Sequence, residues 1–433
     1  MTNSFEKLNE KVGNMSEKIV VIGQGYVGLP LAITAARSGY SVVGYDTDVN
    51  KIASLKAKKS FIEDVTDSDL VEAIDKLNYL PSGDCNDLAN FVFAIITVPT
   101  PLKDSLPDLT YVQKATELVG QYLTKGATVV LESTTYPGTT TDFMVPILES
   151  VSNLSAKTDF YVGFSPERID PGNKQFNFKN TPKIVSGINK ESLEVIDRFY
   201  SSIVDITFAV TSPNEAELAK LIENTFRHVN VALINELAIY ANLLGINVWE
   251  SIDAAKTKPF GFMPFYPGPG VGGHCLPIDP SYLSYQVKLK VGETFKFIEL
   301  ANELNHTMPS YVVRRVILGL NKQKKALNGS KVLAIGVSYK PNTSDTRESP
   351  AIAVINQLAE LGAEVKVVDP LVKQSGNLPS VNFVELTQEV IQTSDIVLIL
   401  SPHDVIDLEL ISNHGSYIFD LRRVIVGDNV EYL

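Results

Sequence analysis

Short apolar runs, each closing on a polar or glycine-rich segment, punctuate the first half of the chain. Lys18–Ile22, Ser41–Tyr45, Asn90–Ile96, Ala127–Leu131, Phe160–Gly163, Lys183–Gly187 and Ile206–Ala209 are largely apolar without regular alternation. Continuous hydrophobicity marks strands buried on both sides, as in a parallel sheet covered by helices. A helical period fills Leu29–Ser38 and stops at Gly39, a residue suited to a left-handed helix end. The spacing predicts a doubly wound sheet of six to eight strands that ends near Val210. From Lys331 the order repeats: strand Lys331–Val337, helix Ala351–Leu361 before Gly362, strand Glu364–Asp369, then strands Asp395–Ser401 and Tyr417–Asp420.

Helical periodicity dominates the segment between. Ser212-Pro-Asn-Glu215 has the form of a capping box with Pro at the first helical position, and it predicts one helix to Leu244, stopped by Gly245. Its apolar stripe is Leu218, Leu221, Ile222, Val229, Leu233 and Leu237. Helix resumes over Val248–Ala255 and again from Glu299 to about Lys325. The expected fold is α/β: two Rossmann-like doubly wound parallel-sheet domains joined by a central helical domain with a long connecting helix. The boundaries read as 1–210, 211–325 and 326–433.

Composition narrows the partners. The 433 residues include 38 basic and 50 acidic side chains, a net charge of −12 without a long basic run. A nucleic acid or an anionic membrane is therefore excluded as the main partner. No apolar run approaches a membrane span, and Met1–Lys18 is polar without the apolar core of a signal peptide. Two distant cysteines supply neither a disulfide framework nor a zinc cluster, which fits a reduced, cytoplasmic setting.

Candidate chemistry begins where the first strand ends. Gly23-Gln24-Gly25-Tyr26-Val27-Gly28 joins that strand to the first helix, so the glycine pattern stands in the context a dinucleotide site requires. Gly23 permits the turn, Gly25 lets a pyrophosphate approach, and Gly28 permits close helix–strand packing. Asp46, 18 residues past Gly28 at the end of the second strand, would accept from a ribose 2′-hydroxyl and repel a 2′-phosphate. NAD is favoured over NADP. The strand-end loops with Pro99 and Thr100, and with Thr134 and Thr135, fall at the edge where doubly wound sheets hold ligands. So does Ser165-Pro-Glu167-Arg168.

Pro267–Pro280 packs four Gly and four Pro into fourteen residues around Cys275, a loop with a candidate nucleophile. Lys220 and Asn224 are i and i+4 on the capped helix, hence on one face. The third domain lacks the glycine fingerprint and instead offers Lys340 and Arg347 at a strand end, cations suited to phosphate.

Together these pieces resemble the UDP-glucose/GDP-mannose dehydrogenase family over roughly residues 17–425. The matching motifs are Gly23–Gly28, Ser133-Thr-Thr-Tyr-Pro137, Ser165-Pro-Glu167, Glu217–Asn224, Gly272–Asp279 and Tyr339–Arg347. The resemblance implies four-electron oxidation of the C6 alcohol of a nucleotide sugar with two NAD. Cys275 would hold the aldehyde as a thiohemiacetal and then a thioester, while Lys220 and Asn224 stabilise oxygen anions at C6. Thr135, Glu167 and Asp279 match positions that order or deprotonate water. His274, next to the nucleophile, diverges from it in an extended loop. The UDP-sugar would meet Arg168, Phe265, Tyr266, Gly268, Gly270, Gly272, Tyr339 and Lys340, with Arg347 reaching toward NAD.

The form of the loop resembles the branch acting on UDP-N-acetylhexosamines in surface-polysaccharide pathways. UDP-N-acetylglucosamine is the expected substrate, with UDP-N-acetylmannosamine and UDP-glucose as alternatives. A homodimer or higher homo-oligomer through the central helices is implied. A two-electron β-hydroxyacid dehydrogenase would need neither the cysteine loop nor the third domain. A silent binding protein could lose Cys275, Lys220 or Asp279, and all three are present.

Overall fold

A computed structural model describes residues 17–433 except 63, 104–105, 171–172, 174, 274–275, 374–375 and 379–380. The polar leader (residues 1–16), His274 and Cys275 lie outside the described residues. The chain divides into two compact units. One comprises residues up to Glu223 with Ser281–Lys290; the other comprises Asn224–Pro280 and Val291–Leu433.

The first unit is built on an eight-stranded sheet. Its strands are β1 (Lys18–Ile22), β2 (Ser41–Tyr45), β3 (Tyr79–Ser82), β4 (Phe93–Ile96), β5 (Thr128–Leu131), β6 (Tyr161–Phe164), β7 (Lys183–Gly187) and β8 (Thr207–Ala209). They lie in the order β8-β7-β6-β5-β4-β1-β2-β3. Alternate residues of each strand feed two cores: Ile19, Val21 and Ile95 face one, Val20, Ile22 and Ile96 the other. This accounts for the unbroken apolar runs. The pairing is parallel except between β6 and β7, which run antiparallel, with Gly163 opposite Gly187. That reversal was not expected from the sequence, because apolarity carries no direction. Strand β3 was also unforeseen; it is an edge strand containing Pro81, where a missing N–H is tolerated. Helix α1 (Gly28–Arg37) packs on the sheet with eight of its ten residues buried.

The second unit repeats the plan. Strands β9 (Lys331–Ile335), β10 (Glu364–Val368), β11 (Asn382–Phe383), β12 (Ile396–Ile399), β13 (Ile418–Asp420) and β14 (Val430–Tyr432) form a parallel sheet ordered β11-β10-β9-β12-β13-β14. This is the doubly wound order 3-2-1-4-5-6. The central strands of the first unit follow the same 3-2-1-4 sequence. The expected pair of Rossmann-like sheets is therefore present. Edge strands of two and three residues, β11 and β14, carry too little pattern to be legible.

Helix α2 (Pro213–Leu244) spans the unit boundary in the sequence. The Ser212 hydroxyl accepts from the Asn214 amide and donates to the Glu215 carboxylate, and Gly245 ends the helix at φ +69°. Most of its apolar stripe does not face a core. Leu221 is buried, but Leu218, Ile222, Leu233 and Leu237 are exposed at 37–57%. The buried side of the helix instead carries Glu217, Lys220, Asn224, His228 and Asn235. Periodicity fixes which residues share a face and not which face meets solvent; here hydrogen bonds satisfy the polar one.

Three more helices matter below: α3 (Val248–Ala255), α4 (Asp279–Val291) and α5 (Lys296–Lys322). The sequence places Asp279 in the glycine loop, whereas it is the first residue of α4. Pro280 follows it at the second position, where a missing N–H costs nothing. Among the described residues no helix is long and apolar enough to cross a membrane.

Candidate active site

The turn after β1 is shaped by contacts that admit only glycine at two points. Gly23 has φ +98°, and a Cβ there would lie 2.9 Å from the Thr97 carbonyl oxygen. A Cβ at Gly28 would lie 1.9 Å from the Gly23 carbonyl oxygen. Gly25 is different: nothing stands within 4 Å of its Cβ position. Beside that open space begins α1, whose N-terminus has no side-chain cap, leaving amide donors and the positive end of the helix dipole for an anion. Asp46 Oδ2 accepts from the Gln24 amide at 2.8 Å and Oδ1 from the Asp48 amide at 2.9 Å, which orients the carboxylate. These features fit NAD, its pyrophosphate at Gly25 and α1 and its ribose at Asp46.

The side chain of Gln24 faces inward. It is fully buried, donates to the Val21 carbonyl at 2.9 Å and accepts from the Tyr79 hydroxyl at 2.8 Å, so only its backbone is available to a cofactor. Tyr26 and Val27 are half-buried. Two residues outside the expected set hold the neighbouring loops: Thr97 Oγ1 donates to the carbonyls of Ile22 and Gly23, and Ser133 Oγ to that of Val98 at 2.7 Å. Pro99 is exposed, Thr134 half-buried and Thr100 buried. The first turns of α4 reach these loops, with the Tyr282 hydroxyl donating to the Thr100 carbonyl at 2.7 Å and Gln286 Nε2 to the Pro137 carbonyl at 2.9 Å.

Lys220 and Asn224 are buried, at 7% and 5% exposure, one turn apart on α2. In the first unit the Lys220 ammonium donates to the Glu167 carbonyl oxygen. Glu167 accepts the Ile169 amide on one oxygen, and its other oxygen is buried without a hydrogen-bond partner among the described residues. The Thr135 hydroxyl is likewise buried and unpartnered. Arg168 is committed elsewhere, to the Pro182 carbonyl and the Glu223 carboxylate, both at 2.7 Å. Sequence reasoning passed over Glu217, three residues before Lys220. Its carboxylate accepts from the amides of Gly138 and Thr140 and from the Thr140 hydroxyl at 2.7–2.9 Å. Burial pushes its pKa up to about 7, against the pull of those donors.

In the second unit Asn224 Nδ2 donates to Asp279 Oδ2 at 2.5 Å, and Asp279 is 2% exposed. The loop before it is shaped by the protein itself. A Cβ at Gly272 would meet Pro350 at 2.7 Å, one at Gly273 the Tyr339 ring at 2.8 Å, and one at Gly270 the Asn305 carbonyl oxygen at 3.0 Å. These glycines are required by packing before any ligand is considered. Gly268 donates its amide to Asn235 Oδ1 at 3.0 Å. The guanidinium of Arg422, a cation that sequence reading missed, stands 3.1 Å from its Cβ position. Phe265 meets Phe226 edge-on at 5.8 Å. Tyr266 stacks on Trp249 of α3 at 5.5 Å and donates its hydroxyl to Asp253 at 2.9 Å.

The loop with Tyr339, Lys340 and Arg347 is held from below. His403 Nδ1 accepts the Asn342 amide at 2.8 Å and Nε2 lies 3.1 Å from Asp369 Oδ2. Arg347 turns onto Asp345, at 2.6–3.1 Å. Asp369 occupies the place of Asp46 in the repeat: its Oδ2 accepts the Val337 amide at 2.8 Å. His403 seals it, so its side chain is inaccessible where that of Asp46 is 10% exposed. A ribose cannot reach it.

Three family models cover the chain. The UDP-glucose/GDP-mannose dehydrogenase NAD binding domain matches residues 17–204, the central domain 214–307 and the UDP binding domain 333–427. A UDP-N-acetyl-D-glucosamine 6-dehydrogenase of Pseudomonas aeruginosa is 40% identical over 357 residues, 82% of this chain and 83% of that protein. A UDP-N-acetyl-D-mannosamine dehydrogenase of Pyrococcus horikoshii is 35% identical over 89% of each chain. The solved structure of a UDP-D-ManNAc dehydrogenase from Pyrococcus horikoshii superposes with a TM-score of 0.87 at 34% identity, covering 96% of this chain and 98% of that one. The chain belongs to the UDP-glucose/GDP-mannose dehydrogenase family and is an NAD-dependent nucleotide-sugar dehydrogenase.

Two glycine variants separate cofactor contact from packing. Gly25→Ala should melt within a few degrees of wild type yet bind NAD at least about tenfold more weakly, some 1.4 kcal/mol. Gly28→Ala should lose about 1–3 kcal/mol of stability through overpacking. Thermal melts with calorimetric NAD titration check both. Undiminished NAD affinity in Gly25→Ala would remove the pyrophosphate from that space.

Proposed function

We propose that the protein oxidises the C6 alcohol of a UDP-N-acetylhexosamine, UDP-N-acetylglucosamine first, to the uronic acid for polysaccharide biosynthesis. The observation that carries this reading is the burial of Lys220 and Asn224 side by side on α2. Two donors on one helix face suit an oxygen that gains charge at a reacting carbon, and one such donor is typically worth about 3 kcal/mol of barrier. NAD, when bound, supplies the hydride acceptor for each of the two oxidations. The Cys275 thiolate adds to the aldehyde carbon as a thiohemiacetal and then carries the acyl group as a thioester, so the aldehyde does not escape. Glu167, Asp279 and Thr135 are the groups that order or deprotonate the hydrolytic water. The Glu167 and Thr135 oxygens that have no partner among the described residues support that role, since a buried polar atom without a partner is costly unless a ligand or water uses it.

The division into domains at 210 and 325 follows the same proposal, with UDP held by the third and by the glycine loop. By the resemblance, Gly268, Gly270, Gly272, Phe265, Tyr266, Tyr339 and Lys340 are assigned to its path, with Arg168 a candidate contact of the sugar and Arg347 of NAD. A cytoplasmic location suits a reaction that consumes NAD and a UDP-sugar. UDP-N-acetylmannosamine is the second reading, supported by the 35% identity to an enzyme named for that sugar.

Purified protein with excess NAD should form two NADH per UDP-N-acetylglucosamine consumed, and Cys275→Ala should stop acid formation while keeping NAD affinity within about twofold. One NADH per sugar, or acid formation at the wild-type rate in the variant, would overturn the mechanism. Turnover confined to UDP-N-acetylmannosamine would select the second reading.

The exposed apolar row of α2, with Leu218, Ile222, Phe226, Leu233, Leu237 and Tyr240 at 37–57% exposure, supports a homodimer through this helix, because soluble chains seldom leave so long a patch in water. Sedimentation should give a dimer for wild type and a monomer for Ile222→Glu/Leu237→Glu. A monomeric wild type, or a variant that still dimerises, contradicts this assignment.

A further inference from the structure

Beneath the Ser165–Ile169 loop lies a buried cluster that takes no part in the proposed reaction. Glu132 follows β5 and its side chain is wholly inaccessible; Lys183 opens β7 with 4% of its side chain exposed. The Lys183 ammonium donates to Glu132 Oε1 and, at 3.2 Å, to the Pro166 carbonyl oxygen. The hydroxyl of Tyr200, fully buried, donates to Glu132 Oε2 at 2.8 Å. The same ammonium stands 5.2 and 5.4 Å from the ring centres of Phe178 and Tyr200. It is also 3.9 Å from Glu167 Oε2, the carboxylate oxygen with no hydrogen-bond partner among the described residues.

One buried cation therefore lies between two carboxylates, and two lysines grip successive peptide carbonyls: Lys183 that of Pro166, Lys220 that of Glu167. A buried ion pair is a weak stabiliser, because desolvation offsets most of its attraction. Well-packed apolar residues in place of such a pair are often equally stable, so stability is a weak reason for charges here. Their placement against Glu167 is the stronger one.

We propose that Lys183, Glu132 and Tyr200 are positioning residues for Glu167: they fix the height of the Pro166–Glu167 peptide and set the charge on the Glu167 carboxylate. The inference rests on the reading of Glu167 as a group that works on water. The charge of Lys183 is divided between Glu132, which holds it closely, and Glu167, which receives the remainder. Burial pushes the Glu132 carboxyl up, while the ammonium and the Tyr200 hydroxyl pull it down. Of the other charged groups about the loop among the described residues, Lys220 lies on the Glu167 carbonyl, Arg168 is paired with Glu223 and Asp170 follows Ile169. Neither cation bonds to the Glu167 carboxylate.

Charge sharing predicts shifts of opposite sign. Glu132→Gln frees the cation for Glu167, so the acid limb of the kcat profile should move to lower pH. Lys183→Met removes the cation, and the limb should move to higher pH by about one unit or more, the size expected for an opposite charge within about 4–6 Å. Above that limb, kcat in Lys183→Met should level off at a plateau below wild type, since the grip on the Pro166 carbonyl is lost as well. Turnover of UDP-N-acetylglucosamine with saturating NAD from pH 5.5 to 10 reads both, alongside thermal melts.

Tyr200→Phe changes no charge and should leave the limb in place. A purely structural cluster would lower kcat by one factor at every pH, and limbs that stay put or move in the same direction overturn the proposal. Should Lys183→Met fail to fold, the downward shift in Glu132→Gln, a near-isosteric change, still decides. Glu167→Gln separates the two levels. If the limb survives in that variant, the reading of Glu167 falls; if it vanishes there yet ignores Glu132→Gln and Lys183→Met, only the present inference falls.

Discussion

The structure depends on a helix that buries its polar side. On α2 the residues Glu217, Lys220, Asn224, His228 and Asn235 follow one another at three-, four- and seven-residue steps. Each is bonded to a separate piece of chain: the Gly138 and Thr140 amides, the Glu167 carbonyl, the Asp279 carboxylate, the Asn302 side chain and the Gly268 amide. The bonds of Glu217 and Lys220 lie within the first unit, those of Asn224, His228 and Asn235 within the second. A buried donor or acceptor stripped of its partner costs about 1–3 kcal/mol, so the helix and the loops specify each other's positions. Loops that carry the chemistry are irregular and would otherwise be mobile. The apolar residues displaced to the other side of α2 are what the proposed dimer contact would use.

The two sheets show how one plan serves two purposes. Both end their first strand in a glycine turn with positive φ, and both set an aspartate at the end of the second strand to accept the amide after that turn. Around Asp46 the space beside Gly25 stays open, and a dinucleotide can be held. Around Asp369 a histidine closes the site and fastens the Asn342 loop instead. That histidine makes the corresponding place a support for the loop that carries Lys340.

Local signals were legible and distant ones were not. The fingerprint, the capping residues of α2 and its stop at Gly245 are set by neighbours a few residues apart, and spacing reveals them. Glu217 meets its partners 77 and 79 residues away, and Lys183 meets Glu132 across 51. No periodicity marks such pairs. Which side of α2 is buried was not legible either: spacing groups residues by face, and only the buried network explains why the polar face lies inside. The glycines of the Pro267–Pro280 loop were read as room for a ligand, whereas the atoms that crowd Gly270, Gly272 and Gly273 belong to Asn305, Pro350 and Tyr339. The antiparallel β6–β7 pair has no counterpart in composition at all.

The clamp formed by α2 is tested most directly by amide hydrogen exchange at the loops it holds. The amides of Gly138, Thr140 and Gly268 should exchange slowly in the wild-type protein. In Glu217→Ala the first two, and in Asn235→Ala the third, should exchange at least about tenfold faster, with the strand amides of β1 and β9 unchanged. Equal exchange at these amides in wild type and variants would contradict the claim that the polar face of α2 holds the loops of the site.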